Sequence, residues 1–181
     1  MMKIIPNVCV ALLLGLASSL YAQNTNYPTE DMKFSPENSG KSGEVFTITQ
    51  PIETTGMSKW NTVTIRIPGI LPYSADLVIK GKVMLQSETR PHHLGLIVEC
   101  TSGKQLFAKA PLPTGEPTSF SLPLSAFKVA DSSKNPEPPT EQDQLQSIRV
   151  YASFAPEEAE SSFKLESFSL TAGASNHKSH P

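Results

Sequence analysis

Apolar residues recur at every second position along most of the chain between Val45 and Leu170. In residues 62–67, Val63, Ile65 and Ile67 share one face while Thr62, Thr64 and Arg66 share the other, the alternation of a half-buried strand. Residues 77–85 set Leu77, Ile79, Val83 and Leu85 against Lys80 and Lys82, and residues 94–100 put Leu94, Leu96, Val98 and Cys100 on one side. Residues 105–110 and 118–124 follow the same period. In residues 147–154, Ile148, Val150, Ala152 and Phe154 alternate with Arg149, Tyr151 and Ser153. Residues 162–171 change phase: Phe163 and Leu165 lie on one parity and Phe168 and Leu170 on the other, which requires a bulge near Glu166 and Ser167. Residues 45–48 add a further short segment. Seven to eight strands with no strong helical period predict an all-β domain, two antiparallel sheets packed as a sandwich or jelly roll. Only residues 157–161 suggest a helical turn.

The flanks read differently. Residues 1–22 run from a basic start at Lys3 through an apolar stretch to Leu20, Tyr21 and Ala22, the pattern of an export signal cleaved after Ala22. That stretch is too short for a spanning helix. Residues 23–43 are polar and without period, and are expected to form a flexible leader that adds little core. The sandwich is expected over residues 44–172 and a disordered tail over residues 173–181, where His177 and His180 are expected to bind nothing. Residues 131–143, with three prolines and mostly acidic charge, predict a long exposed connection.

Composition narrows the partners. Among 181 residues, 15 Lys and Arg stand against 17 Asp and Glu, a net charge of -2, so no basic surplus favours nucleic acid. Removal of residues 1–22 takes Cys9 with it and leaves Cys100 alone, so no internal disulfide forms. The domain, at about 160 residues, must then rely on its core. Cys100 lies on the apolar parity of its strand and is expected to be a buried small hydrophobe.

Three phrases resemble the galactose-binding-like β-sandwiches, the jelly rolls that include many carbohydrate-binding modules. Residues 75–86 followed by 94–99 are similar to the family's paired middle strands, "L-x-I-x-G-K-V" and an apolar neighbour. Residues 119–128, SFSLPLSAFK, resemble "x-F-x-I-P-L-S-D-F", with Ala126 in place of the usual acidic residue. Residues 146–172 are similar to a closing pair "I-x-x-I-R-V" and "F-x-L-D-x-F-x-L", with Glu166 where Asp is common. The resemblance implies a β-sandwich fold and a carbohydrate as ligand. It also implies a structural calcium held by a closing carboxylate, here Glu166, with Glu44 or Glu53 as partner. Since Ala126 and Glu166 depart from the acidic pattern, a glutamate on a solvated strand face is the expected state, and no other cofactor is implied.

Catalytic patterns are missing from the sequence. No apolar segment holds a pair of carboxylates, no Gly-x-Ser-x-Gly turn occurs, and no glycine-rich phosphate loop is present. His92 and His93, with Glu88 nearby, would reach one metal ion only on an irregular backbone, because strand neighbours point to opposite faces. They are expected to be surface histidines. Sugar binding needs an aromatic face flanked by polar groups. The candidates are Trp60, the single tryptophan, Tyr73, and Tyr151 beside Arg149 and Ser153, with Lys80 and Lys82 sharing that face. The function expected is therefore an exported module, periplasmic or secreted, that is not an enzyme and binds a carbohydrate. The alternative is a structural or interaction module whose partner is another protein of a secreted or cell-envelope assembly.

Overall fold

The computed structural model describes residues 23–38, 43–56, 60–133, 135–154 and 161–172. The expected export signal and tail lie outside these residues. So does the expected helical turn as far as Glu160, since Ser161 already opens a strand.

Among the described residues, twelve strands form two sheets. The first sheet runs in the order β1 (Gln23–Asn26), β5 (Trp60–Arg66), β11 (Leu145–Ser153), β7 (His93–Cys100), β8 (Gln105–Ala110) and β10 (Lys128–Val129). The second runs β2 (Met32–Phe34), β3 (Gly43–Ile48), β12 (Ser161–Ala172), β6 (Leu77–Leu85) and β9 (Thr118–Pro123), with β4 (Ile52–Gly56) also paired to β12. All pairings are antiparallel except β1 with β5. The chain crosses repeatedly from one sheet to the other, so the two layers are a jelly-roll β-sandwich. No helix among the described residues is long and apolar enough to cross a membrane.

The core follows from the two-residue period. Val63, Ile65, Leu96, Val98, Ile148 and Val150 from the first sheet join Ile79, Val83, Phe163, Leu165, Phe168 and Leu170 from the second in one buried cluster. The phase change in β12 is a bulge: its register against β6 shifts between Leu165 and Ser167, so Phe163, Leu165, Phe168 and Leu170 all point inward. Opposite the bulge's far side, Gly81 faces Phe120, and a Cβ on Gly81 would lie 2.4 Å from that ring. The glycine is what lets a phenylalanine fill the interior there.

Two expectations are corrected. The segment 23–43 does contribute core: Tyr27 and Met32 are buried, β1 lies along β5, and the Tyr27 N–H donates to the Thr64 carbonyl at 2.9 Å. Strands of four and three residues are too short for alternation to announce them. The 131–143 connection is exposed in part, but Pro139 and Asp143 are buried. Lys104 pairs with Asp143 at 3.0 Å, and the Thr140 N–H donates to the same carboxylate at 2.7 Å. The Ser102 hydroxyl, that N–H and the Lys104 ammonium hold the Asp143 carboxyl well below the usual carboxylate range. Cys100 is buried as expected, and burial pushes its thiol up to about 11, so it is a packing group and not a nucleophile at neutral pH.

Candidate functional site

The strands of the first sheet turn one parity outward, and their register lays those side chains in rows. Trp60, Ser153 and His93 form the first row, and Thr62, Tyr151, Gly95 and Lys109 the second. Thr64, Arg149, Ile97, Phe107 and Lys128 form the third, and Arg66, Ser147, Glu99 and Gln105 the fourth. Asn24 and Asn26 extend the second and third rows through the parallel pairing of β1. The Thr64 hydroxyl donates to Asn24 Oδ1 at 2.8 Å.

Tyr151 is the centre of this face. Its ring lies across Gly95, where an added Cβ would come within 2.6–2.7 Å of the phenol carbons and oxygen. Any other residue at 95 would lift the ring, so the glycine seats it flat against the sheet. Around it, Trp60 stands 5.5 Å away by ring centroid, His93 5.5 Å edge-on and Phe107 6.4 Å in a stacked arrangement. Trp60 and His93 also meet, at 5.6 Å. Four aromatic rings from four neighbouring strands thus form one platform. Burial is the main cause that holds the His93 imidazole below its ordinary value, with Lys109 and His92 acting in the same direction, so this ring is neutral at pH 7. Burial raises the Tyr151 phenol, partly offset by Arg149, and it remains a hydrogen-bond donor across the physiological range.

Two depressions open on the face and meet at Arg149. One, of about 290 Å³, is lined by Trp60, Thr62, Ile97, Arg149 and Tyr151. The other, of about 400 Å³, is polar and is lined by Asn24, Asn26, Arg66, Glu99, Arg149 and their neighbours. Arg149 Nε is shielded from water and has no hydrogen-bond partner among the described residues. An orphaned donor of this kind is costly until an acceptor reaches it. Glu99 is engaged, accepting from Gln105 Nε2 at 3.1 Å and from the Ser147 hydroxyl at 3.3 Å.

Trp60, Tyr151 and Arg149 are therefore brought together. Ser153 sits in register between Trp60 and His93 but is 4% exposed, so its hydroxyl is not part of the open face. Tyr73 lines neither depression. It packs against the core, with its N–H bonded to the Asp143 carbonyl at 2.8 Å. Lys80 and Lys82 belong to β6 and so to the other sheet. Period two assigns a residue to one side of its strand and says nothing of which layer that strand joins.

Of the residues expected around a calcium, Glu44 is separated from Glu166, while Glu53 faces Lys164, two positions from Glu166 along β12. Glu44 is opposite Thr171, five positions along β12 from Glu166, on the order of 15 Å at the strand rise. Glu166 instead meets Lys82 at 3.3 Å, Glu53 meets Lys164 at 3.6 Å, and Glu44 accepts from the Thr47 hydroxyl at 2.7 Å. Lysines thus pair with two of these three carboxylates, and among the described residues no three His, Cys, Asp or Glu side chains converge. His92 is exposed while His93 is in the aromatic platform. Sequence reasoning missed Gly95, Ile97, Phe107 and Arg66. The outward parity of Phe107 beside Lys109 carried a signal, whereas the seat at Gly95 is visible only once Tyr151 is placed on the adjoining strand.

No family model and no curated protein matches the sequence. Among solved structures, the chain is similar to a family 11 carbohydrate-binding module from Clostridium thermocellum in complex with a beta-1,3-1,4-mixed-linked tetrasaccharide. That match is 13% identical, covers 71% of this chain and 91% of the other, and has a TM-score of 0.44. It is similar also to the family 11 module of a cellulosomal cellulase of the same organism, at 14% identity, 71% and 91% coverage and a TM-score of 0.43. An agarase crystal structure matches at 12% identity over 82% of this chain and 25% of its own, with a TM-score of 0.49.

Proposed function

We propose that the chain is an exported, non-catalytic β-sandwich module that binds a carbohydrate on the outer face of its first sheet. The observation that carries this reading is the platform of Trp60 and Tyr151, 5.5 Å apart and bordered by a depression of about 290 Å³. An aromatic ring held flat and partly exposed offers an apolar surface to the C–H face of a pyranose. Thr62, Asn24, Asn26 and Arg149 at its border offer donors and acceptors to the hydroxyls. Glycoside hydrolysis would ask for two carboxyl groups flanking the scissile bond. Among the described residues lining the two depressions Glu99 is the one carboxylate, and it is already held by Gln105 and Ser147.

Isothermal titration of the mature chain against a panel of plant, algal and bacterial oligosaccharides tests the proposal. Saturable binding to at least one class is expected, with loss of that binding in Tyr151→Ala. Silence across the panel, or a Tyr151→Ala variant that binds as the parent does, would remove it.

A further inference from the structure

Arg149 and Arg66 give the face a second character besides its aromatic one. In its four rows the outward strand positions of the first sheet carry Arg66, Arg149, Lys109 and Lys128 against the single carboxylate Glu99, on a chain whose net charge is -2. Among the described residues none of these four cations forms an ion pair, whereas Lys82, Lys104 and Lys164 elsewhere each have one. Arg66 faces Ser147 and so stands diagonal to Arg149 across the β5–β11 pair, about 7–8 Å apart at the backbone. Both side chains border one depression, where an anion lying between two guanidinium groups would offset their mutual repulsion. Arg149 Nε has no partner, and the polar depression of about 400 Å³ that both arginines line has room for a ligand group.

We infer that the ligand is an anionic polysaccharide: a sugar ring rests on Trp60 and Tyr151 while the carboxylate or sulfate of a following residue is taken by Arg149 and Arg66. This deepens the carbohydrate reading above and rests on it. Tyr151, Arg149 and Ser147 follow one another along β11 at alternate positions. A chain lying along that strand therefore passes from the aromatic platform to the arginine pair within about 13 Å. Guanidinium groups suit the task, since their planar forks take carboxylate or sulfate oxygens two at a time. Glu99, beyond Ser147 from Arg66, bounds the anion site on its far side, with its oxygens turned to the Gln105 amide and the Ser147 hydroxyl.

The test uses matched probes on the full mature chain. Uronate oligosaccharides are compared with the same oligosaccharides after carboxyl reduction, and a sulfated galactan with its desulfated form, so that the two sources of charge are told apart. Binding of one charged probe is expected to be about tenfold or more tighter than that of its neutral counterpart, the worth of one charge-assisted hydrogen bond. The advantage should vanish near 1 M salt, where the screening length is about 3 Å. Arg66→Gln, at an exposed position and outside the aromatic depression, should erase most of it while leaving the neutral sugar bound, and Arg149→Gln, which also borders the platform, should erase it and weaken the neutral sugar as well. Equal affinity for charged and neutral forms, lost in Tyr151→Ala, would overturn the anionic preference and leave the carbohydrate reading standing. Failure of every sugar would overturn both. A single-stranded oligonucleotide held as tightly as the charged sugar would overturn the assignment of the cations to a glycan.

Discussion

The two outward faces of the sandwich are built from the same alternation and do opposite things with it. On the second sheet Lys82 pairs with Glu166 and Lys164 with Glu53, and a depression beside Lys80 and Lys82 is bordered by Ser119, Ser121, Ser167 and Ser169. Two of the sheet's lysines are thus paired, Lys80 at that depression has no ion pair among the described residues, and no outward aromatic ring stands beside it. On the first sheet Trp60, Tyr151, His93 and Phe107 gather into one platform, and four cations stand with no ion pair among the described residues. The difference shows where unspent interaction is left. On the proposed reading, the face that keeps its aromatic rings inside is only wetted, and the face that presents them beside unpaired cations is the one that binds.

The two glycines sharpen the contrast. Gly81→Ala drives a Cβ to 2.4 Å from the buried Phe120 ring and should cost about 3 kcal/mol of stability in denaturant unfolding. Tyr151→Ala removes the centre of the other face and should weaken sugar binding by about 2 kcal/mol, roughly thirtyfold, with a small change in unfolding. Gly95→Ala places its methyl at 2.6 Å from the Tyr151 ring, but that ring lies on an open surface and swings out. Stability should fall by less than about 1 kcal/mol, while binding drops about tenfold in titration calorimetry. If Gly95→Ala damages folding as much as Gly81→Ala does, the first face is a core surface and not a seat for a ligand.

A smaller effect appears in acid. The Asp143 carboxyl lies below its ordinary value of 3.8 because of Ser102, Thr140 and Lys104, so the stability it contributes is complete above about pH 4 and is lost as pH falls below that. Unfolding of Asp143→Asn followed from pH 7 to pH 2 should show a flatter acid limb than the parent. The smallest change is expected on the second sheet: Lys82→Ala breaks a pair whose lysine is 44% exposed, which should shift stability by less than about 1 kcal/mol and leave sugar binding unchanged. A loss of binding in that variant would move the site to the wrong face.

Much of the sandwich is legible in the letters because β5, β6, β7, β11 and β12 each run seven residues or more, long enough for period two to stand out and for the β12 bulge to declare itself as a slip in parity. Strands β1, β2 and β10 span four, three and two residues and exist because a neighbour offers an edge, which no local pattern records. In β4, Thr54 occupies an inward position at 0% exposure, its hydroxyl bonded to the Phe163 carbonyl at 3.3 Å. A polar residue on the buried parity hides the alternation. For the site, the same logic recovers Trp60, Arg149 and Tyr151 as outward residues and fails for Lys80 and Lys82, because their side of the strand was readable and their sheet was not. The calcium pair Glu44 and Glu166 fails for a related reason: register, which separates them, is set by the bulges at Leu165–Ser167 and Leu170–Thr171 and by long-range pairing.

Trp60 is the single tryptophan in the chain, and it stands in the aromatic platform, so its emission reports on that face alone. Fluorescence titration with the tightest-binding oligosaccharide should give a saturable change in Trp60 emission whose midpoint matches the calorimetric affinity, and that midpoint should rise about thirtyfold in Tyr151→Ala. Calorimetric binding with an unaltered tryptophan spectrum would place the sugar elsewhere on the molecule and contradict the account.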